Sequence, residues 1–508
     1  MLSTVVTSTI FALGVAAQQY AGDVISAGLP TIEGAEVAFF KIPDTTGVNN
    51  NLTLINYYSH GTSGGRIVES NVQRVLITIH GLLRDPWDYM NDTLNALDLA
   101  TTQDANINRD SVAVIAPYFA NGDDKGLAYP WTDGLGANQG STTNALVWAG
   151  SQWLAGLNNQ YPHSSTGTSG FYVLDTLINY FNDATLFPDL KQIVLVGHSA
   201  GGQMLQRYAV VGDNLNTRVP VTYWIGNPDS YAWLSEDRPL STADCPIFDE
   251  YREGYSNFTD VGMVYGTYIV GEGREALVNN YNSKQIAYAR AMLDHGDVSH
   301  DCRANTTGND RHERFFFYIQ DVPPTCDDST SWNCDTVDLI QVTHDNGQMF
   351  QSPAGQARLF TDNFYGDNSR AYDFGYPRAQ TGDDPFPDPS QASIQNPNIN
   401  YNVYAGNMTY QGCWTNQEPI TPQALPTMLF DNASNSIEAC CSACTNSGYS
   451  IAGMQNQTEC YCGNALNGQS AVLVVDSSCL LTCPGNTAEI CGSINRFSIF
   501  SNAYPNFD

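Results

Sequence analysis

No cysteine occurs before Cys245 in this 508-residue chain, so its first half must be held together by a buried core and not by disulfides. Positive charge is also scarce. Lys and Arg number 21 against 52 Asp and Glu, a net charge of -31, and the basic residues are scattered. Such a surface repels phosphate backbones and anionic headgroups, which argues against a nucleic-acid partner. After the N-terminal segment no run approaches the roughly 18 apolar residues that cross a bilayer, so no membrane span is expected. Hydrophobic residues at 42% and aromatics at 11% are enough for a folded core. A chain of this length outgrows one core, and at least two domains are expected.

Residues 1–17 carry a mildly apolar stretch ending in Val15-Ala16-Ala17, which reads as a signal peptide. Asn-x-Ser/Thr sequons at Asn51, Asn91, Asn257, Asn305, Asn407, Asn432 and Asn456 suit the same secreted, extracellular route. The cysteines divide the remainder. Cys245, Cys302, Cys326 and Cys334 lie in the long first part, where Cys245 with Cys302 and Cys326 with Cys334 are plausible pairs, and nine crowd between Cys413 and Cys491. Residues 18–365 therefore read as one domain and 366–406, rich in Pro, Asp, Asn, Gln and Ser, as an extended linker. Residues 407–501 read as a module stapled by disulfides.

Short apolar runs alternate with helix-like stretches in the first domain. Val75–Ile79, Val112–Ala116, Ile193–Val196 and Val221–Ile225 are continuous apolar segments of the kind buried on both faces, and Val173–Phe181 has helical spacing. The expected class is α/β, with a mostly parallel sheet covered by helices. Residues 283–293 fit a strand or, by their alanines, a helix.

Ile193–Val196 leads into Gly197-His198-Ser199-Ala200-Gly201-Gly202 and then into a helix-compatible segment. A serine on so sharp a strand-to-helix turn needs glycine neighbours, and the helix N-terminus brings free N–H groups to it; Ser199 is the candidate nucleophile. The oxyanion donors would be the Ala200 N–H and the Leu82 N–H, the latter in His80-Gly81-Leu82-Leu83 after the Val75 strand. His80 reads as a structural prop of that loop. The base must follow Ser199, among His295, His300, His312 and His344. His344 fits best, because it ends the strand-like Val337–Thr343 and precedes a flexible Asp345-Asn346-Gly347. His300 and His312 read as solvated or structural. The acid is expected at Asp294, with Asp297 and Asp229 as alternatives. This chemistry requires no metal or cofactor.

Residues from about 70 to 365 resemble secreted fungal α/β-hydrolases carrying a His-Gly-Leu-x-Arg-Asp segment, here His80-Gly81-Leu82-Leu83-Arg84-Asp85. The resemblance extends to Ala116-Pro117-Tyr118-Phe119, Trp148–Trp153, Gly197–Gly202, Asn227-Pro228-x-Ser230-Tyr231 and His344-Asp345. It implies the α/β-hydrolase fold and hydrolysis of an ester substrate. In the family a Gly-x-x-Asp pattern ends the penultimate strand; this chain has Ala291 in place of the glycine, leaving Asp294 in register. An amidase or peptidase using the same three residues is the catalytic alternative, and an inactive wall-binding protein the non-catalytic one.

The tail reads Tyr410-Gln411-Gly412-Cys413-Trp414, Cys440-Cys441-Ser442-Ala443-Cys444, Cys460-Tyr461-Cys462-Gly463 and Cys483-Pro484-Gly485-Asn486. Over about residues 407–501 this resembles a WSC domain. That implies a disulfide-bonded module binding cell-wall polysaccharide, glucan or chitin, and a protein associated with the wall. Disulfides are favoured over zinc in an exported chain with few histidines, and with Cys440 beside Cys441 one cysteine is left over. Trp414 and Tyr461 could stack on sugars or pack a thin core.

Overall fold

The computed structural model describes residues 18–502 except 26–27, 125–142, 292–293, 295–300, 326–334, 341, 371–402, 417–422, 468–469, 472, 475–478 and 480. The signal segment, the linker from 371, Asp297, His295, His300, Cys326 and Cys334 lie outside the described residues.

Eight strands form the main sheet: β1 (Ala35–Lys41), β2 (Thr53–Ser59), β3 (Arg74–Ile79), β4 (Val112–Pro117), β5 (Gln192–His198), β6 (Val221–Gly226), β7 (Gln285–Ala291) and β8 (Thr336–Ile340). Their order is β1-β2-β4-β3-β5-β6-β7-β8; β1/β2 and β2/β4 pair antiparallel and every later pair is parallel. This is the α/β-hydrolase fold expected from the sequence.

Alternate residues of the central strands serve opposite faces. In β3, Val75, Ile77 and Ile79 join one core cluster and Leu76 the other; in β5, Ile193 and Leu195 face one way and Val194 and Val196 the other. Both faces are covered, so both sets must be apolar and each strand reads as an unbroken run. Helices α2 (Gly170–Phe181) and α3 (Ala200–Val211) cover the first face through Leu174, Leu177, Met204 and Leu205. Helix α1 (Pro86–Gln103) covers the second through Met90, Leu94 and Leu97.

Strand β7 resolves the ambiguity at 283–293. Ala287, Ala289 and Ala291 lie on one face and Ile286 and Tyr288 on the other, and pairing with both β6 and β8 overrides the helical preference of alanine. The segment after His344 is helical, not an irregular loop. Asp345 caps a helix at Asn346–Gln351 by accepting from the Gln348 N–H at 2.8 Å. The Asp-Asn-Gly composition that signals a turn serves here as a helix start.

The C-terminal module has a six-stranded sheet in which Ile451–Gln455 lies between Glu459–Gly463 and Arg496–Ser501. Disulfides Cys440–Cys460 and Cys444–Cys462 fasten the Ile437–Asn446 helix to the Glu459–Gly463 strand, and Cys413–Cys479 and Cys483–Cys491 close two further loops. Cys441 is the buried free thiol, and burial pushes its ionisation up. The sulfurs of Cys440, Cys444 and Cys460 lie close together but are already bonded as disulfides. In the first domain Cys245 is bonded to Cys302, with Cα atoms 5.6 Å apart. Among the described residues no helix is long and apolar enough to cross a membrane.

Candidate active site

Ser199 stands between the end of β5 and the start of α3 with φ 58° and ψ -121°, a conformation that L-residues avoid. Its own N–H donates to the Gly226 carbonyl on β6 at 2.9 Å, which helps hold the turn against that strain. The glycines are required by contact. A Cβ on Gly197 would lie 2.4 Å from the Gly201 carbonyl oxygen, and one on Gly201 would lie 2.4 Å from that of Ile79. Sequence Gly-x-Ser-x-Gly, strained serine and helix N-terminus together have the geometry of a nucleophile elbow.

The His80–Leu83 loop packs directly on this turn. A Cβ on Gly81 would sit 3.8 Å from Ser199 Cβ. Arg84 fixes the loop: its Nη1 donates to the Leu82 carbonyl at 2.6 Å, while its Nε reaches both oxygens of Asp124 at 3.1 and 3.0 Å. His80 is wholly buried. Its Nδ1 lies 2.9 Å from the Gly81 carbonyl, its Nε2 accepts the Phe119 N–H at 3.0 Å, and burial lowers its pKa to about 3. It is a neutral structural prop.

His344 lies beyond the end of β8. Its ring packs on His198, with centroids 4.5 Å apart, and its Nδ1 lies 2.7 Å from Asp294 Oδ2. Asp294 also accepts from Asn227 Nδ2 at 2.9 Å and from Arg311 Nη1 at 3.0 Å, and Arg290 Nη1 lies 3.7 Å away. Burial opposes its ionisation, but the His344 hydrogen bond and the Arg290 and Arg311 charges outweigh it and hold the carboxyl well below the usual range. Arg311 Nη1 is 2.7 Å from His344 Nδ1, so one guanidinium borders both partners. Among the described residues Ser199 Oγ takes no hydrogen-bond partner, His344 included.

Ser199, Leu82 and Ala200 thus line one cleft, and the His344–Asp294 pair meets His198, the residue before Ser199. Asp229 is nearby but faces Arg311 and Arg314, at 3.4 and 3.8 Å. His312 is fully buried, hence structural and not solvated. Sequence reasoning did not single out Arg84, Asn227, Arg290 or Arg311. The signal for Arg290 was a charge in a strand otherwise built to be buried, which demands a partner. Arg311 and Arg314, in a charged helix start, are buried against the carboxylates.

Above the turn lies a cleft of about 450 Å³ whose lining includes Leu82, Ser151, Leu154, Ser199, Arg207 and Arg252.

Residues 410–493 match the WSC domain family. The C-terminal module is a WSC domain. It is 34% identical over 93 residues to a WSC domain-containing protein of Arthroderma benhamiae, a match covering 18% of this chain and 10% of that protein. It is 40% identical over 74 residues to a xylosyltransferase of Drosophila pseudoobscura pseudoobscura, covering 15% of this chain and 8% of the relative. The chain thus spans about a tenth of the length of these relatives. Among solved structures, a poly(3-hydroxybutyrate) depolymerase from Bordetella parapertussis has 15% identity and a TM-score of 0.40, covering 67% of this chain and 92% of that one. A siderophore hydrolase from Aspergillus nidulans has 10% identity and a TM-score of 0.30, covering 64% and 92%. Likeness at this level says nothing of substrate. Within the WSC domain Trp414 is fully buried, its Nε1 donating to the Gln411 carbonyl, and Tyr461 packs edge-on against Phe497. Both rings belong to the core, and a sugar ligand would need other residues.

Proposed function

We propose that the protein is a secreted serine hydrolase that cleaves carboxylic esters and is held near cell-wall glucan or chitin by its WSC domain. Ser199 Oγ attacks the ester carbonyl and passes its proton to His344 Nε2, and the oxyanion is received by the Leu82 and Ala200 N–H groups. His344 then protonates the leaving alkoxide. Water attacks the acyl-enzyme with His344 again as base, which releases the acid and restores Ser199. Asp294 keeps the proton on Nδ1, so that Nε2 is free to accept, and balances the imidazolium charge.

The observation that carries this reading is the strained Ser199 at the β5–α3 elbow, exposed to a cleft, with a His344–Asp294 pair on its neighbour. Purified chain should release 4-nitrophenol from short acyl esters, and Ser199→Ala should lower kcat by about 10⁴ or more. A fully active Ser199→Ala variant would overturn the reading. Residues 407–501 joined to the whole chain should retard it on insoluble glucan or chitin relative to a chain ending at residue 370; equal mobility on both would remove the targeting part.

A further inference from the structure

The cleft over Ser199 is far from apolar. Three carboxylates line it, each already engaged: Asp229 by Arg311 and Arg314, Glu253 by Arg303 at 3.5 Å and Arg207 at 3.6 Å, and Asp301 by Arg303. Of the two guanidiniums that line the same cleft, Arg207 is taken by Glu253 and Arg252 is not used up in this way. Arg252 meets no carboxylate within ion-pair distance among the described residues, and its Nη1 donates only to Ser151 Oγ, at 3.1 Å. Arg207 is 1% exposed. Its Nε donates to the Arg252 carbonyl at 3.1 Å and its Nη2 to Ser230 Oγ at 3.2 Å, so it braces the segment that carries Arg252.

A half-buried arginine that lines a cleft without an ion-pair partner of its own is an invitation to an anion. Arg252 thus stands in the cleft of Ser199, in a chain whose net charge is -31. We propose that the ester cleaved at Ser199 carries a carboxylate, received by Arg252. The inference rests on Ser199 being the nucleophile. A single carboxylate suits the cleft better than a phosphate dianion, because Asp229, Glu253 and Asp301 share the lining and oppose a second negative charge. The planar fork of arginine matches the two carboxylate oxygens.

The test compares two 4-nitrophenyl esters of equal chain length, the neutral valerate and the singly charged glutarate monoester, with spontaneous hydrolysis subtracted. The full chain should prefer the glutarate by about tenfold in kcat/KM, with the preference shrinking as salt is raised. Arg252→Gln should lower the glutarate-to-valerate ratio by about tenfold, and Arg252→Lys should restore part of it. A ratio at or below one in the wild-type protein, or one unchanged by Arg252→Gln, would overturn the proposal while valerate hydrolysis and fluorophosphonate labelling of Ser199 left the hydrolase reading standing. If neither ester were cleaved and Ser199 took no label, both readings would fall together.

Discussion

Replacing Asp294 by Asn changes one oxygen to nitrogen and removes the charge opposite His344. With Nδ1 and Oδ2 2.7 Å apart, the centres of an imidazolium and a carboxylate lie about 4 Å from each other, worth about 4 kcal/mol at an effective dielectric near 20. That attraction exists only once His344 has taken the serine proton, so it acts on the transition state and its loss should lower kcat by about 10³ with little change in KM. The variant also leaves the buried Arg290 and Arg311 without their shared anion, which should cost about 3 kcal/mol of stability. The assay is steady-state hydrolysis of a short 4-nitrophenyl ester, with circular dichroism to show that the variant is folded at the assay temperature. Asp229→Asn should lose far less activity, because its carboxylate engages Arg311 and Arg314 and not His344. A folded Asp294→Asn enzyme within about tenfold of wild type, or a dead Asp229→Asn or Asp297→Asn enzyme beside it, would refute the assignment of the acid.

Two stability predictions follow from the same geometry. Burial, together with Asp345 and Asp88, pushes the Asp92 carboxyl from 3.8 up to about 6, although Asn346 donates to it at 2.7 Å. The fold favours its protonated form, so this stability is full below about pH 4 and is lost as the pH rises through about 6. Asp92→Asn should therefore raise the Tm at pH 7 relative to wild type, by an amount equivalent to about 2 kcal/mol after allowing for partial exposure, and change it little at pH 4; equal Tm differences at both pH values would contradict this. Gly201→Ala forces a Cβ to 2.4 Å from the Ile79 carbonyl oxygen and 2.9 Å from that of His80, both backbone atoms, and should cost about 3 kcal/mol, or about 5 °C in Tm. A variant that melts with the wild-type protein would show that β3 and α3 can part without cost.

Much of this was legible in the sequence for a physical reason. Strands buried on both faces must be apolar throughout, so β3, β4, β5 and β6 stood out, and an elbow serine needs its glycines, so Ser199 stood out with them. What escaped was long-range. The spacing of Asp294 after β7 pointed to an acid, but only the folded chain brings Arg290, Asn227 and Arg311 around it, across separations of 4, 67 and 17 residues. The alanines of β7 favour helix locally and are strand because neighbours flank them on both sides. Composition also misjudged Asp345-Asn346-Gly347, since residues that favour turns also start helices. In the tail, the cysteine spacing identified the WSC domain, while the placing of Trp414 and Tyr461 in the core depended on which strands flank them.

The central claim is that Ser199 is the nucleophile of this cleft. Treatment of the purified chain with a fluorophosphonate, followed by digestion and mass spectrometry, should find one adduct, on the peptide containing Gly197-His198-Ser199-Ala200-Gly201, formed in the wild-type protein and absent from Ser199→Ala. A folded protein that takes no label, or takes it on another residue with Ser199 unmodified, would show that Ser199 is not the nucleophile.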